Sequence, residues 1–254
     1  MPLRDPLFSS RKEPLRIAVL TGAGMSAESG IPTFRDALTG FWSKYDPQRL
    51  ATMEGFRSDV ALVWGWYRWR AALTQRVQPH AGHHGLVQLE KRGHDVAIIT
   101  QNVDDLHERA GSEQVLHLHG HLLRSRCAGC GKQRHPDPIL LDFNTSPTEE
   151  SREVPPRCDD CGDYFRPDVV WFGEMLPEAP WQEAQRIITN CELLVVIGTS
   201  GLVYPAAGLP AAAQSLRIPI IEINPMPSGI SPLADEFWQL PAKLGVARLL
   251  KTLT

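Results

Sequence analysis

At 254 residues, with 43% hydrophobic and 22% charged side chains, the chain can bury a full core in one large domain and still carry a smaller insertion. A net charge of −3 and a pI near 6.3 give no reason to expect nucleic-acid binding through bulk charge. No apolar run reaches the length of a signal-peptide core or a bilayer span, so a cytoplasmic protein without membrane contact is expected.

In chain order, Ile17, Ala18, Val19 and Leu20 form an apolar run that stops at a glycine-rich turn, the pattern of a buried parallel strand feeding a helix. Gly22, Gly24 and Ala27 fit the G-x-G-x-x-G/A spacing, in which glycines let backbone N–H groups approach a pyrophosphate. A tight turn without a ligand fits the triplet as well. The acidic ribose clamp that ordinary dinucleotide folds place about 20 residues on is missing, because Asp46 in WSKYDPQRL does not end a strand.

Residues 38–76 read as a helical insertion anchored by Trp42, Leu50, Phe56, Val60, Val63, Trp64, Tyr67 and Leu73. QPHAGHHG turns into a helix through Lys91, with His83 read as a helix-start residue and not, with His80 and His84, as a metal site. HDVAIIT is the next buried strand, and QNVDDLHERAG leaves it at the carboxyl edge, where ligands sit in open α/β sheets. QVLHLHG gives a short strand ending on His119 and Gly120. Residues 122–165 form an inserted module with a disordered-looking centre, SPTEESREVPP. DVVWF and ELLVVIGTS and IPIIEIN, with helices between them and a last helix at 242–253, restore βαβ alternation. The expected fold is α/β: a Rossmann-like parallel sheet from 1–37, 77–121 and 166–254, with a small domain made of the helical segment 38–76 and the ribbon 122–165.

Cys127, Cys130, Cys158 and Cys161 form two C-x-x-C pairs, four thiolates suited to close a tetrahedral shell around a structural Zn2+ and a poorer match to a disulfide framework. Cys191 reads as a small buried hydrophobe. Alternation puts His117 and His119 on one face of their strand, so spacing leaves open which of them is functional and whether either is. Gln101, Asn102 and Asp104 can start a helix as caps and line a pocket at once.

GAGMSAESGIPTFR, with the downstream QNVDD, HG, paired C-x-x-C and GTS segments, resembles the sirtuins, NAD-consuming protein-lysine deacylases, from about Ile17 to Leu253. The resemblance implies that Gly22, Ala23, Gly24, Ser26, Phe34 and Arg35 bind NAD, with Gln101, Asn102 and Asp104 around the nicotinamide and its ribose. It implies that Gly198, Thr199, Ser200, Asn224 and Ala242 hold the adenosine half, which explains the missing acidic clamp. It makes His119, immediately before Gly120, the catalytic histidine, a base whose pKa near neutrality suits proton transfer from a ribose hydroxyl. Asn102 and Asp104 share the catalytic assignment. Phe172, Gly173 and Glu174 are implied to pair with an acylated peptide, the GLVYP loop lying on its other side. Asp36 departs from the glycine common after the F-R pair.

WYRWR sets Tyr67 and Arg70 three apart on one face of a predicted helix, able to hold a carboxylate by a phenol hydrogen bond and a guanidinium fork. The same pattern also suits an aromatic core face with solvated arginines. Sirtuins that remove succinyl or malonyl groups carry Y-x-x-R here and a small residue where Ala51 stands, so acidic acyl groups are expected, with deacetylation retained. The resemblance implies release of nicotinamide, O-acyl-ADP-ribose and free lysine. Acylated-lysine proteins are the expected partners of a monomer. The rival readings are a mono-ADP-ribosyltransferase, a nicotinamide-dependent oxidoreductase, and a non-catalytic zinc and nucleotide binding module.

Overall fold

The computed structural model describes residues 13–32, 46–135, 137, 139–140 and 147–253. Phe34, Arg35, Asp36 and Trp42 lie outside the described residues. The strands are β1 (Arg16–Thr21), β2 (Asp95–Thr100), β3 (Val115–His117), β4 (Gly120–Cys127), β5 (Gln133–Arg134), β6 (Phe165–Val169), β7 (Leu193–Ile197), β8 (Ile220–Ile223) and β9 (Glu236–Trp238). The helices are α1 (Gly24–Ala27), α2 (Pro47–Leu50), α3 (Met53–Ser58), α4 (Val60–Arg76), α5 (Ala81–Lys91), α6 (Leu106–Ala110), α7 (Glu178–Asn190), α8 (Leu209–Ser215) and α9 (Ala242–Thr252).

A six-stranded parallel sheet runs in the order β3-β2-β1-β7-β8-β9. Its central strands carry continuous apolar runs, residues 17–20, 96–99 and 193–197, because helices cover both faces. Ile17 and Val19 point into one core with Leu86 and Leu89 of α5 and Val246 and Leu249 of α9. Ala18 and Leu20 point into the other with Ala184 and Ile188 of α7 and Leu209 and Ala213 of α8. Cys191 is buried in that second core.

A three-stranded antiparallel sheet, β5-β4-β6, forms the second unit with α2, α3 and α4. Leu50, Phe56, Val63, Trp66 and Tyr67 pack on Leu122, Val169 and Trp171, while Trp64 packs on Cys127, Cys158 and Phe165. The helical segment and the ribbon therefore pack on each other through two apolar clusters. DVVWF was expected to rejoin the βαβ alternation; instead Asp168 and Val169 end β6, which pairs with β4. The short β9, unpredicted from sequence, fills the sheet edge.

Residues 147–157 are ordered against α4, in contrast to the disorder suggested by their composition. Glu153 N–H donates to the Ala61 carbonyl at 3.0 Å, Arg152 grips Asp59 at 2.8 Å, and Glu153 pairs with Arg68. Gly65 makes the approach possible, because a Cβ there would lie 2.0 Å from the Ser151 carbonyl oxygen. Charge that reads as solvated in the sequence is paired across an interface.

β1 and β7 are neighbours, and the turns leaving them collide unless both are glycine. Gly24 N–H donates to the Gly198 carbonyl at 2.9 Å, and Gly198 sits at φ +62° with its missing Cβ only 2.5 Å from Gly24 C. Gly198→Ala adds left-handed strain to a backbone clash, for an expected loss of about 2–5 kcal/mol. The urea midpoint should fall accordingly, with an unchanged denaturant slope.

Candidate active site

The chain runs β1 to β3 on one side of the sheet and β7 to β9 on the other, so β1 and β7 flank the topological switch point where open α/β sheets bind ligands. Both glycine turns leave the strands there. Gly22 N–H donates to the Ile197 carbonyl at 3.0 Å, and Ala23 caps α1 beside Gly24. Thr199 links three strand ends: its hydroxyl accepts from Gln101 Nε2 at 3.0 Å and its carbonyl from Asn224 Nδ2 at 2.8 Å. Ser200 follows, its carbonyl accepting from Gly229 N–H at 3.0 Å. Ala242 is apart from this group as a side chain, buried in the core beneath the sheet at the start of α9.

From β2 the segment 101–104 reaches the same crevice. Asn102 Nδ2 donates to the Gly22 carbonyl at 3.1 Å and to Ser26 Oγ at 3.0 Å, and Ser26 Oγ donates to Asp104 Oδ2 at 2.9 Å. Asp104 Oδ1 also accepts the Leu106 N–H at 3.2 Å, so it caps the turn into α6 while facing the crevice. Burial pushes the Asp104 carboxyl above its usual range, against the Leu106 and Ser26 hydrogen bonds that lower it. Thr21 and Thr100 escaped the sequence reading: Thr21 Oγ1 donates to Thr100 Oγ1 at 2.8 Å, and that oxygen accepts the Asn102 N–H at 3.0 Å. Two threonines ending neighbouring strands were the only signal for them.

The two histidines that alternation could not separate differ in what they meet. His119 Nδ1 lies 3.1 Å from the Gln101 carbonyl, which can only accept, so Nδ1 carries the hydrogen and Nε2 is the lone-pair nitrogen. Burial lowers the His119 pKa, partly opposed by that carbonyl, and keeps the ring neutral. His117 contacts the Asn102 carbonyl through Nδ1 and Glu108 through Nε2, so both its nitrogens are engaged.

The second unit supplies the residues of WYRWR and RLAT. Tyr67 is 2% exposed, and its hydroxyl accepts from Trp171 Nε1 at 2.8 Å. Arg70 Cζ lies 4.7 Å from the Trp66 ring centroid and 5.5 Å from that of Tyr67, so the guanidinium stacks on the aromatic pair instead of extending into solvent. Burial lowers the Arg70 pKa, while Tyr67 and the Asp104 carboxylate oppose the shift, which sets Arg70 beside the 101–104 segment. The Ala51 carbonyl accepts the Phe172 N–H at 2.9 Å.

Phe172 is 50% exposed and Gly173 is exposed, but the Glu174 side chain turns inward. It pairs with Arg166, with Arg126 at 3.1 Å and with the Trp171 N–H at 2.9 Å. Arg166 is 1% exposed and lies over the Trp171 ring at 3.4 Å, so Glu174 neutralises a buried cation that the sequence did not single out. At the head of α5, His83 Nδ1 accepts the His80 N–H at 3.3 Å in a capping box, a helix-start role.

The four cysteine sulfurs of the ribbon lie within 4.8 Å of one another, with Cys127 and Cys161 at 3.3 Å and Cys130 and Cys158 at 3.7 Å. A tetrahedral zinc with ordinary Zn–S bonds separates its sulfurs by about 3.8 Å, so the cluster fits a closed structural Zn2+ site. Gly129 and Cys130 direct backbone N–H groups at Cys127 Sγ, the outer support a thiolate ligand needs.

Sheet order, crevice and ribbon together define an α/β protein of the dinucleotide-binding class with a cysteine-ribbon second unit. A family model described as the Sir2 family matches residues 22–205. NAD-dependent protein deacylase 1 of Pseudomonas aeruginosa is 50% identical over 212 residues, 84% of each chain. The NAD-dependent protein deacylase of Methylococcus capsulatus is 48% identical over 225 residues, 89% of this chain and 87% of that one. A solved complex of a Sir2 homolog with NAD superposes with a TM-score of 0.81 at 41% identity, covering 93% of this chain and 88% of the other. The chain belongs to the Sir2 family.

Removing the metal tests the ribbon separately from the crevice. Cys158→Ser should purify without stoichiometric zinc by metal analysis and lose the tryptophan fluorescence of a packed Trp64, while the parallel sheet keeps its far-ultraviolet signal.

Proposed function

We propose that the protein removes acyl groups from lysines of acylated proteins at the expense of NAD, with succinyl and malonyl groups favoured and acetyl accepted. Membership of the Sir2 family, the deacylase relatives and the NAD-bound homolog support the general reaction. The observation that carries the reading is His119, whose Nδ1–H is pinned to Gln101 while Nε2 keeps its lone pair. NAD would supply an anomeric carbon that exchanges nicotinamide for the acyl oxygen, and with one water consumed the products are nicotinamide, O-acyl-ADP-ribose and free lysine.

The chain's own residues have distinct tasks in that scheme. The glycine turns at Gly22–Gly24 and Gly198 and the groups Thr199, Ser200 and Asn224 offer close backbone and amide contacts to a dinucleotide. Phe34 and Arg35 belong to the same proposed cofactor set. Gln101, Asn102 and Asp104 line the nicotinamide end, with Ser26 holding the amide and the carboxylate apart at hydrogen-bond distance. His119 Nε2 takes a ribose hydroxyl proton. Phe172 and Gly173 offer their exposed backbone to a peptide strand, and Glu174 acts by fixing that segment to Arg166.

Acidic acyl preference rests on Tyr67 and Arg70. Arg70 is a desolvated cation without a carboxylate in hydrogen-bond contact among the described residues, beside a buried phenol. An acyl group ending in a carboxylate supplies the missing anion, and an acetyl group does not.

Release of succinyl and acetyl from one lysine peptide tests both halves. Arg70→Met should lower kcat/KM for succinyl by about 10- to 100-fold, the worth of a charge-assisted hydrogen bond, and leave acetyl within a few-fold. His119→Ala should lower both by about 10²–10⁴. Because burial depresses the His119 pKa, the base stays neutral below the ordinary histidine range. The acid limb of kcat/KM should therefore lie below pH 6.5, with activity lost as pH falls through it. Equal loss of both acyl activities in Arg70→Met would refute the clamp.

A further inference from the structure

His117 is bound on both sides, and the two partners fix its protonation state. Nδ1 lies 3.0 Å from the Asn102 carbonyl and Nε2 2.6 Å from Glu108 Oε1. A carbonyl and a carboxylate only accept, so each nitrogen carries a hydrogen and the ring is an imidazolium facing an anion. Burial pushes the Glu108 carboxyl up, but the hydrogen bond and charge of His117 together take it below its usual range.

Glu108, His117 and His121 bring three ligand atoms within 4.8 Å, a cluster that also invites a metal ion. Two observations oppose one. His121 Nδ1 accepts the Leu123 N–H at 3.1 Å, so its hydrogen sits on Nε2, where a metal needs a lone pair. The 2.6 Å contact is also shorter than the roughly 3 Å that separates two ligand atoms on one zinc.

We infer that His117 and Glu108 are a positioning pair for the 101–102 segment, an inference that rests on the reading of His119 as the base. His119 and His117 donate to successive carbonyls, Gln101 at 3.1 Å and Asn102 at 3.0 Å. The Asn102 amide is tied at the same time to Gly22 and Ser26. The peptide unit that carries the pocket amide is thus held from both sides, and His117 is the charged holder.

The groups facing His117 are Glu108 and His107 on α6, Asp104 in the loop after β2, and His121 on β4 with Arg124 beyond it. Burial lowers His107 to about 4 and His121 to about 3, so both are neutral, and burial raises Asp104. Glu108 is the anion in hydrogen-bond contact with the His117 charge. The carboxylate thereby holds the ring in the orientation that presents Nδ1–H to the Asn102 carbonyl.

Glu108→Gln separates this role from a packing role, because its amide N–H can donate to neutral His117. The test measures kcat and peptide KM for nicotinamide release and succinyl removal in the native protein, Glu108→Gln and Glu108→Ala. It adds ring-nitrogen NMR of His117 in the native and Glu108→Gln proteins. Glu108→Gln should keep kcat within a few-fold of the native value, and Glu108→Ala should lose roughly tenfold in kcat with peptide KM little changed, as expected for one charge-assisted hydrogen bond. NMR should show both His117 nitrogens protonated at neutral pH in the native protein and Nδ1–H alone in Glu108→Gln. Equal kcat in the native protein and Glu108→Ala would overturn the pair, as would a neutral Nε2–H His117 in the native protein or a second zinc lost with Glu108→Ala. If the native protein releases no acyl group, the NMR spectra decide the pair while the functional reading fails by itself.

Discussion

The contact between the Gly22–Gly24 turn and Gly198 is the constraint on which the rest depends. Two parallel strands deliver their turns to one point, and the backbones meet without side chains between them. That closeness leaves N–H groups and a short helix start at the switch point of the sheet. Gln101 and Asn102 reach in from the next strand and tie to Thr199 and Ser26, so the ends of β1, β2 and β7 are hydrogen-bonded into one floor.

The second unit is joined to that floor by charge and aromatic packing. Trp171 donates to Tyr67, lies under Arg166 and packs near Phe56, so the residue before the exposed Phe172–Gly173 segment is fixed from three directions. Arg70 stacks on Trp66 and Tyr67 at the side where Asp104 is felt electrostatically. The proposed acyl pocket and the proposed nicotinamide pocket thereby share a boundary. A zinc-closed ribbon matters to this only through packing: Cys127 and Cys158 share a core with Trp64, on the same helix as Tyr67 and Arg70.

The parallel strands were legible because burial on both faces makes them continuous apolar runs, and the crevice was legible because its turns need glycine. The ribbon announced itself by the spacing of its thiols. Less visible were features decided by partners distant in sequence. DVVWF looks like a βαβ strand until β4 claims Asp168 and Val169, and SPTEESREVPP looks solvated until Arg152 and Glu153 meet Asp59 and Arg68. Glu174 sits in a segment that suggests substrate contact, yet Arg166 turns its carboxylate inward. His117 and His119 are equivalent by alternation, and only the groups opposite their ring nitrogens distinguish them.

The central claim is that this crevice consumes NAD to unload a lysine. Mass spectrometry of the products from a succinyl-lysine peptide incubated with the native protein and NAD tests it most directly. The account predicts nicotinamide, O-succinyl-ADP-ribose and free lysine peptide in equal amounts. Free succinate with NAD intact, NAD reduced to NADH, or ADP-ribose attached to the peptide or the protein would contradict it.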